Sequence, residues 1–162
     1  MTVTALPPGS TIGIIGGGQL GRMSAVAASR LGYHVHILSA EADPPAQETA
    51  QRVTIGAYDD ESVLRSFAQS VDVITFEFEN ISAAGLDLLS SLCPVHPAGS
   101  VLAISQDRIF EKTFLSDNDI PIAPWISVPN AASLESAVSA LGFPFLLKTT
   151  RFGYDGKGQF RI

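Results

Sequence analysis

Short unbroken apolar runs alternate along this chain with stretches in which apolar residues recur every three or four positions. TIGIIG (11–16) is a β-branched run ending in glycines and predicts a strand. QLGRMSAVAASRLG (19–32) carries Leu20, Met23, Val26, Ala27 and Leu31 at helical spacing. That pattern predicts a helix apolar along this face and stopped by Gly32. YHVHILS (33–39) predicts a second buried strand, and RVTIG (52–56) a short third one. DDESVLRSFAQS (59–70) puts acids at the start of an amphipathic helix, where the helix dipole favours them. VDVITFEF (71–78) is the clearest interior strand, ISAAGLDLLSSL (81–92) the next helix, and PVHP (94–97) a short extended piece.

Strands and helices alternating at short spacing predict a parallel sheet covered on both faces. The expectation is a Rossmann-like α/β domain over residues 11–98, after a disordered tail over 1–10. Beyond Pro97 the rhythm changes. SVLAISQDRIFEKTFLSDNDI (100–120) predicts one helix ending at Pro121, and APWISV (123–128) an extended segment. NAASLESAVSALG (130–142) predicts a helix capped by Asn130 or Ser133. FPFLLKTT (143–150), a glycine-rich turn RFGYDGKG (151–158) and QFRI (159–162) form strand, loop and strand, a hairpin rather than a βα unit. Residues 99–162 are therefore expected to begin a second domain of α+β type, truncated because a sheet normally avoids ending on an unpaired edge.

Composition narrows the function classes. No apolar run approaches the ~20 residues that span a bilayer. The first ten residues lack the basic and apolar regions of a signal peptide, so a cytoplasmic location without membrane partners is expected. A net charge of −6 disfavours a nucleic-acid partner, although a helix start can still bind phosphate locally. The one cysteine, Cys93, excludes an internal disulfide, and its apolar flanks predict core filler. His34, His36 and His96 lack metal-ligand company and read as structural.

Two glycine loops carry the candidate chemistry. Gly16-x-Gly18-x-x-Gly21 follows a predicted strand and opens a predicted helix, the context of a dinucleotide fingerprint. Glu41, twenty residues past Gly21, matches a ribose-binding acid, yet it lies in the polar stretch SAEADPPA, where an acid is expected anyway. The second loop, LLKTTRFGYDGKGQ (146–159), has Gly153, Gly156 and Gly158 between strands, with Lys148, Arg151 and Lys157 around them. It is no P-loop, because GxxxxGK[ST] before a helix is absent, but such a hairpin tip can fold over a polyphosphate. Lys148 ends an apolar, buried-looking strand, where an ammonium needs a partner such as phosphate. Glu77 and Glu79 alternate at a strand end, where ligands of open α/β sheets gather.

IIGGGQLGRM (14–23), TFEFEN (75–80), QDRIFEK (106–112), APW (123–125) and LLKTTRFGYDGKGQ, in this order, resemble the ATP-grasp ligases, and among them the N5-carboxyaminoimidazole ribonucleotide synthases. The resemblance spans residues 11–162. It implies a pre-ATP-grasp domain followed by the start of an ATP-grasp domain, with the first glycine loop holding a ribonucleotide rather than a dinucleotide. Gly18, Gln19, Leu20, Glu77, Glu79 and Asn80 are then the expected substrate-binding residues. Arg108, Lys148 and Gly153, Tyr154, Asp155, Gly156, Lys157, Gly158 and Gln159 are the expected ATP-binding residues. Tyr154 and Asp155 are also expected to be catalytic, Tyr154 by positioning bicarbonate or carboxyphosphate.

The implied substrates are ATP, bicarbonate and aminoimidazole ribonucleotide, with Mg2+ as cofactor and its ligands downstream of residue 162. The implied assembly is a homodimer of a longer protein, and the fragment alone is expected to be inactive. A formate-dependent glycinamide ribonucleotide transformylase, the NAD-binding domain of an oxidoreductase and a non-catalytic binding module remain as alternatives.

Overall fold

The computed structural model describes residues 5–153 and 156–162. Two units divide the chain, Met1–Leu102 and Ala103–Ile162.

In the first unit, β1 (Thr11–Ile15), β2 (His34–Ser39), β3 (Arg52–Ile55) and β4 (Val73–Phe76) form a four-stranded parallel sheet in the order β3-β2-β1-β4. The register aligns Ile14 with Ile37 on one side and with Thr75 on the other. Val95 adds a parallel bridge to Ile74 beyond β4. The chain builds outward from β1 to β3 and then returns to lay β4 against the other side of β1. That reversal makes the carboxyl ends of β1 and β4 a topological switch point, where open α/β sheets form their crevice.

Successive residues of a strand face opposite sides, and both sides here are covered. Ile15, Leu38 and Ile74 pack with Leu64 and Phe67 of α2 (Glu61–Ala68) and with Leu86 and Leu89 of α3 (Ala83–Leu92). Ile14, Val35 and Ile37 pack with Ala25 and Ala28 of α1 (Gln19–Arg30) and with Ala46 in a 3-10 turn over Pro45–Glu48. Fully burying a Val, Leu, Ile or Phe side chain contributes roughly 1.5–3 kcal/mol, so these two layers hold the unit together. Asp60 starts α2 by accepting from the N–H groups of Ser62 and Val63 at 2.9 and 3.2 Å. Cys93 is buried among these apolar side chains, and burial pushes its thiol pKa up, away from reactive thiolate.

The buried face of α1 differs from the predicted one. Gly21, Ala25 and Ala28 face the sheet, whereas Leu20, Met23 and Leu31 are 59%, 65% and 70% exposed. The sequence of α1 holds two stripes at helical spacing, one large and one small. The small stripe faces inward because α1 crosses close to β1: a Cβ on Gly21 would run into the Gly16 carbonyl oxygen. Strand β4 also stops at Phe76, short of the predicted residue 78.

The second unit contains α5 (Arg108–Asp117), α6 (Ala131–Leu141) and an antiparallel hairpin of β5 (Leu146–Lys148) and β6 (Gln159–Arg161); α4 (Gly99–Ser105) precedes α5 and spans the division. The single helix predicted over 100–120 is thus two. Asp107 adopts an extended backbone, φ −122° and ψ 120°, and its carboxylate accepts from the Ile109 N–H at 2.9 Å, which starts α5 anew. Asn130 and Ser133 both cap α6, in a reciprocal box of 3.0 and 3.3 Å. Residues 123–128 carry no ladder.

The hairpin matches the predicted strand–loop–strand, but its burial does not match. Leu147 is half-buried, while Leu146 and Lys148 are exposed, because a two-stranded sheet covers neither of its own faces. Among the described residues no helix is long and apolar enough to cross a membrane.

Candidate functional site

The first glycine loop lies at the switch point. Gly16, at φ +114°, turns the chain out of β1 in a conformation that disfavours any residue with a Cβ. Backbone bonds fix the loop on both sides: the Gly16 N–H donates to Leu38 at 2.9 Å, and the Gly17 carbonyl accepts from Ala46 at 2.9 Å. Gly18 is the N-cap of α1, which has no side-chain cap of its own and no acid in its first turn.

The missing acceptor comes from Glu77, the residue after β4. The Glu77 N–H donates to the Ile15 carbonyl at 3.0 Å, continuing the sheet by one residue, and its side chain then turns into the loop. There Glu77 Oε1 accepts from the Gly18 N–H at 3.3 Å. Desolvation raises the Glu77 pKa above its ordinary value, and the nearby Glu79 adds to the rise. The Gly18 and Gly21 N–H groups oppose it. Glu79 is exposed farther along the chain and Asn80 is half-buried. The two carboxylates therefore differ in burial while still repelling each other, and the strand alternation expected to align them ends at Phe76. Gln19 and Leu20 are exposed on the first turn of α1, and Glu41 is exposed after β2.

The second glycine loop is tied to the start of α5. The Arg108 N–H donates to the Thr150 carbonyl at 2.9 Å, and Arg108 Nη2 donates to the Gly153 carbonyl at 3.1 Å. Arg151 Nε lies 3.3 Å from Asp107 Oδ2. The Thr149 N–H donates to the Gly158 carbonyl at 2.8 Å, closing the hairpin. Gly156 and Gly158 have φ of +80° and +67°, the left-handed turn geometry that glycine supplies. Lys148, Gly156, Lys157 and Gln159 are exposed, and Gly153 is half-buried.

Arg108, Lys148, Arg151 and Lys157 give this part of the second unit a cationic character suited to phosphate oxygens. Tyr154 and Asp155 lie outside the described residues. Sequence reasoning did not single out Asp107, although an acid at a helix start is a recognisable cap signal; its pairing with Arg151 across the fold has no local signal. Among the described residues no group of three or more His, Cys, Asp or Glu could hold a metal ion.

Residues 9–106 match the family model described as the ribonucleotide synthetase preATP-grasp domain, and residues 113–162 match the ATP-grasp domain. An N5-carboxyaminoimidazole ribonucleotide synthase of Brucella melitensis is 50% identical over 162 residues, which are 100% of this chain and 45% of the relative. The crystal structure of N5-carboxyaminoimidazole synthetase from Staphylococcus aureus complexed with ADP superposes with a TM-score of 0.93 at 43% identity, covering 97% of this chain and 42% of that one. The Aspergillus clavatus synthase, in complex with ADP and 5-aminoimidazole ribonucleotide, superposes with a TM-score of 0.82 at 27% identity, covering 95% and 40%. This chain thus spans less than half the length of these relatives. With its parallel sheet, its glycine loop at the β1–β4 switch point and its glycine-rich hairpin, the chain belongs to the ribonucleotide synthetase preATP-grasp family, continued by an ATP-grasp segment.

Proposed function

We propose that this chain supplies the ribonucleotide site and part of the ATP site of an N5-carboxyaminoimidazole ribonucleotide synthase. The observation that carries the reading is the second glycine loop. It is a hairpin tip flanked by Lys148 and Arg151 and tied to Arg108, a polyphosphate cradle that a dinucleotide-binding βα fold does not need. The aligned relatives support the choice of substrates.

In the proposed reaction, a bicarbonate oxygen attacks the γ-phosphorus of ATP, the bond to the ADP oxygen breaks, and carboxyphosphate forms. The exocyclic amine of aminoimidazole ribonucleotide attacks the carboxyl carbon, or CO2 released from carboxyphosphate. Phosphate leaves and the nitrogen loses a proton. Mg2+ would accompany the nucleotide and neutralise its charge. The donor set described here is cationic, with Asp107 already engaged by Arg151 and Ile109, so it does not fit a divalent ion and no step is assigned to one.

Within this scheme Arg108 and Lys148 hold the triphosphate, and Gly153 to Gln159 cover it. Tyr154 and Asp155 position bicarbonate and carboxyphosphate. Gln19, Leu20, Glu79 and Asn80 face the ribonucleotide. Gly18 contributes a backbone that a ligand can approach closely, while its N–H is used by Glu77. The protein positions the reactants, neutralises charge and excludes water while carboxyphosphate exists. Assembly as a homodimer and action in the cytoplasm belong to the same proposal.

The test is a chimera in which these 162 residues replace the matching segment of the Brucella relative. Labelled bicarbonate should enter the product, with one phosphate released per carboxylation and none when the ribonucleotide is omitted. A folded chimera that is inactive with bicarbonate, or that uses formate and glycinamide ribonucleotide instead, refutes the proposal.

A further inference from the structure

The three fingerprint glycines, Gly16, Gly18 and Gly21, surround one oxygen atom. Glu77 Oε1 accepts from the Gly18 N–H at 3.3 Å, and the Gly21 N–H acts with it to hold the carboxylate pKa down against the effect of burial. A Cβ added at Gly16, Gly18 or Gly21 would lie 2.5, 3.4 or 3.5 Å from the same Oε1. The side chain lies flat on Gly16, since that Cβ would also be 2.8 Å from Glu77 Cγ. Its root is held by the sheet, through the bond from the Glu77 N–H to Ile15.

A dinucleotide fingerprint uses these glycines to bring a ligand's pyrophosphate onto a helix start. Here the chain brings its own carboxylate to that position, on a helix of 12 residues that has no other cap. We propose that Glu77 is the built-in anion of the glycine loop, a positioning residue that fixes the loop and excludes phosphate from the start of α1. A second anion would meet a fixed negative charge where it needs donors, and the Gly18 donor is already in use. Glu79 adds to the negative field from just beyond it. The switch point therefore admits a phosphorylated ligand only with its phosphate directed away from the start of α1. This follows from the loop geometry alone and does not depend on the carboxylation reading.

The experiment is an amide 15N NMR titration of this chain with inorganic pyrophosphate, repeated on Glu77→Ala and Glu77→Gln. In the unmodified protein the Gly18 and Gly21 signals should not move saturably. Glu77→Ala should acquire saturable shifts at both amides, with affinity at least about tenfold above the unmodified protein. Glu77→Gln keeps an acceptor for the Gly18 N–H but loses the charge. It should retain the loop's amide pattern and gain weaker pyrophosphate binding, a split that a merely structural role would not produce. Saturable binding at Gly18 and Gly21 in the unmodified protein overturns the proposal. So does a folded Glu77→Gln that gains no binding, and this variant decides the matter even where Glu77→Ala does not fold.

Discussion

His36 Nδ1 lies 2.8 Å from Ser70 Oγ, and the Ser70 hydroxyl donates its own proton to the Phe67 carbonyl at 2.7 Å. Ser70 can therefore only accept from the ring, which puts the proton of His36 on Nδ1. Nε2 is left as an acceptor for the Thr54 hydroxyl, 2.8 Å away. The Phe67 ring stands edge-on, with centroids 4.9 Å apart. The site is built for a neutral imidazole.

Burial, with a smaller contribution from Arg52, lowers the His36 pKa from 6.5 to about 4. Well above pH 6.5 the ring is neutral in folded and unfolded chains and contributes no pH dependence. Between 6.5 and about 4 only the unfolded chain takes the proton, so stability falls as pH falls, by roughly 2 kcal/mol at pH 5. Glu77, with its pKa raised, acts in the opposite sense and offsets part of the loss in the carboxylate range. Urea unfolding at pH 7, 6 and 5, together with imidazole 15N shifts, checks this. Stability that stays flat from pH 7 to 5, or a His36 ring protonated at pH 6, refutes it.

The fingerprint presents its three glycines as equivalent, and the structure separates them. Gly18 has φ −72° and its Cβ would meet Glu77 Oε1 at an ordinary 3.4 Å, so Gly18→Ala should cost less than about 1 kcal/mol. Gly21→Ala would drive its Cβ into the Gly16 carbonyl, a backbone atom that cannot move aside cheaply. Overpacking of this kind typically costs 1–3 kcal/mol, and the upper end, about 3 kcal/mol, is expected here. Thermal or urea unfolding of the two variants provides the comparison. Equal losses would mean that α1 does not cross β1 as closely as described.

The same separation shows what was legible in the sequence. The parallel sheet was readable because short apolar runs such as 11–16 and 71–78 are each followed by a helical period. The hairpin was readable because glycines between two strands leave no room for a crossover helix. The inward face of α1 was not, since hydrophobicity favours Leu20 and Met23, and only the close approach to β1 selects Gly21, Ala25 and Ala28. The break before α5 needed one residue, Asp107, to cap rather than continue a helix, which an apolar repeat spanning both sides conceals. The position of Glu77 was out of reach for a stronger reason. Its contact with Gly18 crosses 59 residues and exists only because β4 lies beside β1.

Asp107 divides its two oxygens between two tasks. Oδ1 accepts from the Ile109 N–H at 2.9 Å, and Oδ2 lies 3.3 Å from Arg151 Nε. Asp107→Asn keeps the cap and loses the ion pair, which is partly exposed and worth at most about 1 kcal/mol. Asp107→Ala loses both and should cost about 1 kcal/mol more. Urea titrations that follow amides of α5 distinguish the two variants. High salt should bring Asp107→Asn close to the unmodified protein and leave Asp107→Ala destabilised. A loss in Asp107→Asn as large as that in Asp107→Ala would show that the cap contributes nothing.

Arg108 and Lys148 on one side, and Glu79 on the other, allow the two proposed ligand sites to be separated kinetically. Loss of a charged hydrogen bond to phosphate costs about 1.5–3 kcal/mol, or about ten- to a hundredfold in affinity. In the Brucella chimera, Arg108→Ala and Lys148→Met should therefore raise KM for ATP by at least about tenfold and leave KM for the ribonucleotide unchanged. Arg108 also donates to the Gly153 carbonyl, so part of its effect is on the loop itself. Arg108→Lys keeps a charge but loses the planar fork that can bond Gly153 and a phosphate together, and it should recover only part of the loss. Glu79→Gln should do the reverse, raising KM for the ribonucleotide and sparing ATP. Parallel rises in both constants for every variant would place these residues in the scaffold rather than at the ligands, and the assignment of two separate sites would fail.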